Sequence, residues 1–485
     1  MSDVTPSLRM SLWRDPLRGP ELRSLYREMW RLGWPAFVSQ LLQSVVMIIS
    51  RTIVGQLGEV AYNSVNIGIQ VFILIMTVIG AVGIGTTALV AQAWGAGERD
   101  RAGRIMQQSI VFGTTVSLLI GFAGMPLSEL LYRLLGADAA TAAQGEVFLK
   151  WMLLAMPLMA PGFFLAAALR GAGDTRTPML VGLVMGALSV FFSWAFILGR
   201  AGFPAMGVKG AALAIDASFL AFTVFIALIY AGECTVLPLK RDGWRPDFKI
   251  AAALLRVGLP SGLEWLSFQL GFLVYIFVIY RYGNAAVAGY FTGITILGLA
   301  QTPGFGIQGA VTTMVGQALG AKKTEYAESI FRRCIQMGAL TCAATGALMI
   351  AVSYSPLLPM AFSELSADAL QHTRLYTLLT AFAMPFMGIA FTQAGGLRGA
   401  GDTVPPFIAT TVGVYGGRVA FAFLLVKLFP PAVGSVIPTI SIFWIWSTMF
   451  LDFWVRVVVM GYRIASGRWK MGYQVTSGRW KIIRG

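Results

Sequence analysis

The chain has 485 residues, 56% of them hydrophobic and only 12% charged, and its mean hydropathy is +0.71. So little charge cannot cover a water-soluble protein of this length, so lipid must be the solvent for much of the chain. The formal charge of +15 does not point to nucleic acid, because the basic residues sit in the connections between apolar runs.

Residues 1–31 form a polar, Arg-rich tail. The apolar run from Gly33 to Leu57 is too long for a signal-peptide core and has no small-residue cleavage site after it, so it is expected to remain as the first span. Runs at 62–91, 107–131, 147–169, 177–199 and 208–231 complete a first set of six. A charged connection at 232–256 follows, then runs at 257–280, 286–317, 331–358, 375–397, 405–429 and 435–460. Each is long enough to cross the hydrocarbon as a helix. The basic tail from 463 repeats Ser-Gly-Arg-Trp-Lys at 466–470 and 477–481, which suits an anchor on an anionic leaflet.

Twelve spans put both termini on one side, and charge identifies it. The tails and the connections on their side carry 28 Lys and Arg residues, the opposite connections seven. The positive-inside rule then places both termini of a multi-pass inner (cell) membrane protein in the cytoplasm.

Leu169-Arg170-Gly171-Ala172-Gly173-Asp174-Thr175 recurs as Leu397-Arg398-Gly399-Ala400-Gly401-Asp402-Thr403, each copy with a proline three residues later (Pro178, Pro406). Gly33-Trp34-Pro35 matches Gly258-Leu259-Pro260, and Gln92-Ala93-Trp94-Gly95-Ala96 matches Gln317-Ala318-Leu319-Gly320-Ala321. The offsets are 225, 225 and 228 residues, the mark of a duplication. Six spans per half is an even number, so the second half enters in the orientation of the first. The expected fold is an all-α integral membrane protein of two six-helix bundles, 32–231 and 257–462, related by a pseudo-two-fold axis along the membrane normal. A cleft between parallel repeats is transporter architecture. In the seven-residue motif the glycines permit a tight turn, while Arg170, Asp174, Arg398 and Asp402 can pair or cap helix ends as gate or hinge elements.

These motifs, with Trp34-Pro35-Ala36-Phe37-Val38-Ser39-Gln40, Val54-Gly55-Gln56-Leu57-Gly58 and Leu259-Pro260-Ser261-Gly262-Leu263-Glu264, resemble the multidrug and toxic compound extrusion (MATE) family, in particular its bacterial DNA-damage-inducible-type branch. The resemblance covers about residues 30–465. It implies an antiporter that exports organic, often cationic and amphipathic solutes in exchange for protons, or secondarily sodium, without another cofactor. One departure concerns coupling. Family members commonly carry an Asp in span one shortly before the Val-Gly pair, where this chain has Ser50 and Arg51. Span ten also lacks an acid.

Ionisable residues inside spans are costly and are functional candidates by default: here Arg51, Asp216, Glu264, Arg418 and Asp452. Glu264, two turns into span seven, is the expected ion-coupling acid, with snorkelling or pairing to a base such as Arg256 as the alternative. Asp216 in span six is the second coupling candidate, or else a packing partner for Lys209. Asp452 has Arg456 four residues on and reads as a local ion pair. Gln40, Ser44, Met47 and Arg51 share a helical face, and Arg51 is expected to pair, to snorkel, or to meet an anionic solute group. The expected substrate cleft comprises Gln40, Gln43, Ser44, Arg51, Asn66 and Gln70 from the first half and Tyr275, Thr292, Gln301 and Gln393 from the second.

No Walker motif is present, and three cysteines (Cys234, Cys334, Cys342) with a lone histidine (His372) supply no zinc ligand set, so an enzyme is not expected. The expected function is a monomeric secondary antiporter with lipids and a small organic substrate as its partners. A flippase or exporter of an anionic lipid or lipid-linked precursor is the alternative, because a cleft between bundles can open laterally.

Overall fold

The computed structural model describes residues 20–232, 237–428, 438–471, 474–476 and 479–481. Arg9, Arg14, Arg18, Cys234 and Arg484 lie outside the described residues. Eleven of its helices are long and apolar enough to cross a membrane, and a bent pair makes the twelfth crossing.

The first half runs α1 (Pro20–Gly55), α2 (Glu59–Gly95), α3 (Arg99–Gly124), a short α4 (Ser128–Leu134), α5 (Ala139–Ala172), α6 (Arg176–Phe192) and α7 (Gly207–Ala231). The second runs α8 (Phe248–Tyr280), the bent pair α9 (Asn284–Ala300) and α10 (Thr302–Gly320), then α11 (Thr324–Tyr354), a short α12 (Leu357–Ala361) and α13 (Ala367–Gly399). It closes with α14 (Val404–Thr411), the π-helical stretch Val412–Ala420, α15 (Phe421–Leu428) and α16 (Pro438–Ala465). A hairpin of two short strands, Gln474–Thr476 and Arg479–Lys481, lies in the tail.

The duplication is visible in the backbone. Gly58 and Gly283, 225 residues apart, both take left-handed φ (91° and 90°) before α2 and α9. Gly97 (75°) and Lys322 (60°) do the same after α2 and α10. Gly173 and Gly401 end α5 and α13 in that conformation, each with the same two capping bonds: Gly173 N–H to Arg170 C=O and Asp174 N–H to Leu169 C=O in one copy, Gly401 to Arg398 and Asp402 to Leu397 in the other.

The halves meet through small residues, which let helix backbones approach closely in lipid. A Cβ on Gly33 of α1 would lie 3.6 Å from the Gly306 carbonyl oxygen of α10. In the symmetry-related contact, a Cβ on Gly258 of α8 would meet the Ala81 carbonyl of α2 at 2.2 Å.

Three segment ends are held by packing against the bundle. The helix of the first span starts at Pro20, not after residue 31, because Leu25, Met29 and Leu32 bury themselves with Ile307, Val311 and Met314 of the other half. The 232–256 connection is strapped to α3: Gln107 donates to Lys240 C=O, and Gln108 to Gly243 and Arg245 C=O. Trp469 of the first Ser-Gly-Arg-Trp-Lys copy packs inside the protein, edge-on to Phe331, with its indole N–H on Ile464 C=O.

Candidate functional site

The repeated motifs interlock at one end of the molecule. Gln92 Nε2, from the end of α2, donates to the carbonyl of Gly399 at the end of α13, 3.0 Å away in the opposite half. Gln317 Nε2, from the end of α10, donates to the carbonyl of Gly171 at the end of α5, also at 3.0 Å. Thr313 adds a third bond across the halves, to Arg170 C=O at 2.9 Å. The contact is tight: a Cβ on Gly95 would lie 2.0 Å from the Gln317 carbonyl oxygen, and one on Gly320 2.0 Å from that of Gln92. Gly95 and Gly320 stand where the other half's backbone passes.

Directly inside this seal lies a cavity of about 210 Å³. Its walls come largely in symmetry-related pairs: Gly80 with Phe305, Thr87 with Thr312, and Arg170 with Arg398. The cavity therefore sits on the pseudo-axis, between the halves, with a guanidinium from each copy of the motif in its lining.

The two arginines have different fates. Arg398 is buried and paired with Glu264 of α8 at 2.7 Å, and Thr410 Oγ1 donates to the second Glu264 oxygen at 3.1 Å. Glu264 is not among the residues that line the cavity. For Arg170 no acceptor lies within hydrogen-bond distance of the guanidinium among the described residues. Counting back 225 residues from Glu264 gives Ser39, and 228 back from Thr410 gives Gly182. Ser39 spends its hydroxyl on Pro35 C=O. The duplication supplied both arginines but only one carboxylate.

A family model described as MatE matches residues 35–195 and 260–424. The chain belongs to the MatE family. The two matched stretches fall one in each half of the duplication, and membership makes the protein a multi-pass membrane transporter rather than an enzyme. A probable multidrug resistance protein NorM of Thermotoga maritima is 29% identical over 474 residues, which cover 96% of this chain and 97% of the relative. A solved structure described as the outward-facing conformation of a multidrug resistance MATE family transporter of the MOP superfamily superposes with a TM-score of 0.82 at 21% identity, covering 92% of this chain and 96% of its own. A MOP superfamily transporter from Pyrococcus furiosus, described as having a binding pocket whose reverse polarity suggests a different function, superposes at 0.82 and 20% identity, covering 96% and 99%.

The remaining candidates take distinct places in this MatE fold. Gln40, Ser44 and Arg51 continue the α1 face that meets α10 at Gly33; Arg51 lies eighteen residues, or five turns, further along it. Gly33 is buried and Arg51 exposed, so the contact between the halves is lost along this face. Asn66 is related in the same way to the cavity residue Ile84 of α2; it donates to Tyr62 C=O, and nearby Gln70 and Gln43 are exposed. Gln301 is half-buried at the 43° bend between α9 and α10.

Tyr275, Thr292 and Gln393, expected in the cleft, are buried in the second half. Tyr275 donates to Ile445 C=O at 2.8 Å, and a Cβ on Gly461 of α16 would touch Gln393 Nε2.

Nor do the motif's Arg and Asp pair with each other. Asp174 caps α6 through the N–H groups of Arg176 and Thr177, and Asp402 accepts from Arg463 of α16 at 2.6 Å. Asp216 is buried in α7 with neither carboxylate oxygen hydrogen-bonded, while Lys209 lies over the Trp151 ring. Asp452 does pair with Arg456 (2.6 Å), and also with Arg418 (2.8 Å). Arg418 projects from the π-helical stretch, where Gly413 and Gly417 make room for Asp452.

Proposed function

We propose that the protein is a secondary active antiporter that exports organic, drug-like or metabolite solutes from a bacterial cell by alternating access, driven by inward proton flow through Glu264. The observation that carries this reading is the Glu264–Arg398 pair, because it ties the one acid of the span-seven motif to the helix end whose Gly399 carbonyl receives Gln92. A proton arriving on Glu264 removes the charge that holds Arg398. The end of α13 is then freed to shift, the interlock loosens, and that end of the molecule opens. Proton release restores the pair and closes the end again, with the solute now on the other side.

Orientation follows from charge: the interlocked end carries the basic connections, which the positive-inside rule assigns to the cytoplasm with both termini. The arrangement described above is then sealed inward and faces outward, with Gln40, Gln43, Ser44, Arg51, Asn66 and Gln70 along the outer cleft. Asp216, buried without a partner, is the second site for a coupling ion. The names of the relatives support drug-like solutes as cargo.

Purified protein in liposomes with an imposed proton gradient tests this with a fluorescent organic dye. Gradient-dependent dye movement, lost in Glu264→Gln, is expected. Gradient-driven movement that survives in Glu264→Gln refutes the role of Glu264, and movement that ignores the gradient refutes proton coupling.

A further inference from the structure

The cavity on the pseudo-axis has an unbalanced charge. Arg170 and Arg398 both line it, Glu264 is engaged with Arg398, and the position related to Glu264 in the first half is Ser39. Arg170 is half-buried at this cavity without a counter-charge, and its guanidinium presents five donors in a planar fork suited to carboxylate or phosphate oxygens. The same lining holds Phe163, Phe305, Ile84 and Leu32 as an apolar wall, with four threonines and Gln308 as its other polar groups. No acidic residue contributes to this lining.

We propose that Arg170 anchors an anion: the cavity takes the carboxylate, sulfonate or phosphate of an amphipathic organic solute and lays its apolar body on Phe163 and Phe305. This rests on the transport reading and gives its substrate class. It places the anion on the arginine that Glu264 leaves free, so anion binding and the Glu264–Arg398 pair coexist. Arg51, exposed on the α1 face five turns beyond the contact at Gly33, adds a second cation on the path from that side.

Calorimetric titration of the full chain in neutral detergent tests it, with naphthalene-2-sulfonate as anionic probe and 2-naphthylmethylammonium as the matched cation. The wild type binds the sulfonate in preference to the ammonium. Arg170→Gln weakens the sulfonate by about tenfold or more, the loss expected for a charge-assisted bond, while Arg170→Lys, which keeps the charge but not the fork, loses less. Ser39→Glu, which restores in the first half the acid present in the second, lowers sulfonate binding as much as Arg170→Gln does. Preference for the ammonium, absence of sulfonate binding, or equal sulfonate affinity in wild type and Arg170→Gln overturns the proposal.

Repeating the titration in phosphatidylcholine discs with and without phosphatidylglycerol separates the sources of the anion. Competition by phosphatidylglycerol assigns the site to a lipid headgroup, and unchanged affinity assigns it to a soluble solute; both require the anion site. None of these titrations uses a gradient, so a failure of proton-driven transport in liposomes leaves their result intact, and the reverse.

Discussion

The carboxylate of Glu264 and the guanidinium of Arg398 meet at 2.7 Å, both buried, across 134 residues of sequence. Arg398 also lines the cavity between the halves, and its neighbour Gly399 receives the hydrogen bond that Gln92 sends from the opposite half. One side chain thus touches the acid, the cavity and the seal.

Removing one member of a buried pair leaves the other charge uncompensated. Arg398→Gln should therefore destabilise the protein by about 3–5 kcal/mol, whereas Glu264→Gln/Arg398→Gln should cost much less than the sum of the single changes. Denaturant unfolding in detergent gives the cycle; additive losses would mean that the pair contributes nothing as a unit.

The interlock depends on glycine where the chains cross. Gly320→Leu places a side chain where a Cβ alone would stand 2.0 Å from the Gln92 carbonyl oxygen, so the end bearing the motifs should fail to close. Thr313, buried in the seal, reports this: in a background without native cysteines, Thr313→Cys should resist a maleimide in the parent and react in Gly320→Leu. Equal protection in both would show that the seal does not need the glycine.

Lys322 stands in the left-handed conformation that its counterpart Gly97 adopts without cost. A non-glycine residue there loses about 1–2 kcal/mol, part of which glycine returns through its freer unfolded chain. Lys322→Gly should raise stability by about 1 kcal/mol and Lys322→Ala should not, as thermal unfolding of the detergent-solubilised protein can show.

Much of this was legible in the sequence. Apolar runs gave the crossings, and matches at constant offset gave two parallel halves and the motif pairs that turned out to interlock. Helix periodicity also put Gln40, Ser44 and Arg51 on one face. What escaped were relations that depend on tertiary packing. The bend at Gln301 breaks a run that reads as one continuous span, because apolar composition carries no direction. The partner of Glu264 comes from another helix, and sequence distance gives no hint of it; local spacing suggested Arg–Asp pairs within the motif instead. The same offset that revealed the duplication also sets Ser39 opposite Glu264, so the unpaired Arg170 was detectable once the paired one was known.

The triad of Arg418, Asp452 and Arg456 has the geometry of a structural brace. Asp452 is fully buried between two arginines that are themselves nearly so. Asp452→Asn should cost about 3–5 kcal/mol by stranding both cations, while Asp100→Asn, which removes the exposed pair with Lys240, should change stability by about 1 kcal/mol or less. Comparable losses at the two sites would argue against burial as the deciding factor.

The most direct test of the central claim asks whether the charge on Glu264 controls the seal. Spin labels on Ala96→Cys and Ala321→Cys, exposed just beyond the interlocked ends of α2 and α10, report its opening in a background without native cysteines. The account predicts a short distance in the parent at high pH, a growing population of longer distances as pH falls, and the long distance at every pH in Glu264→Gln. A Glu264→Gln protein that keeps the parent's short distance and its pH response would contradict it.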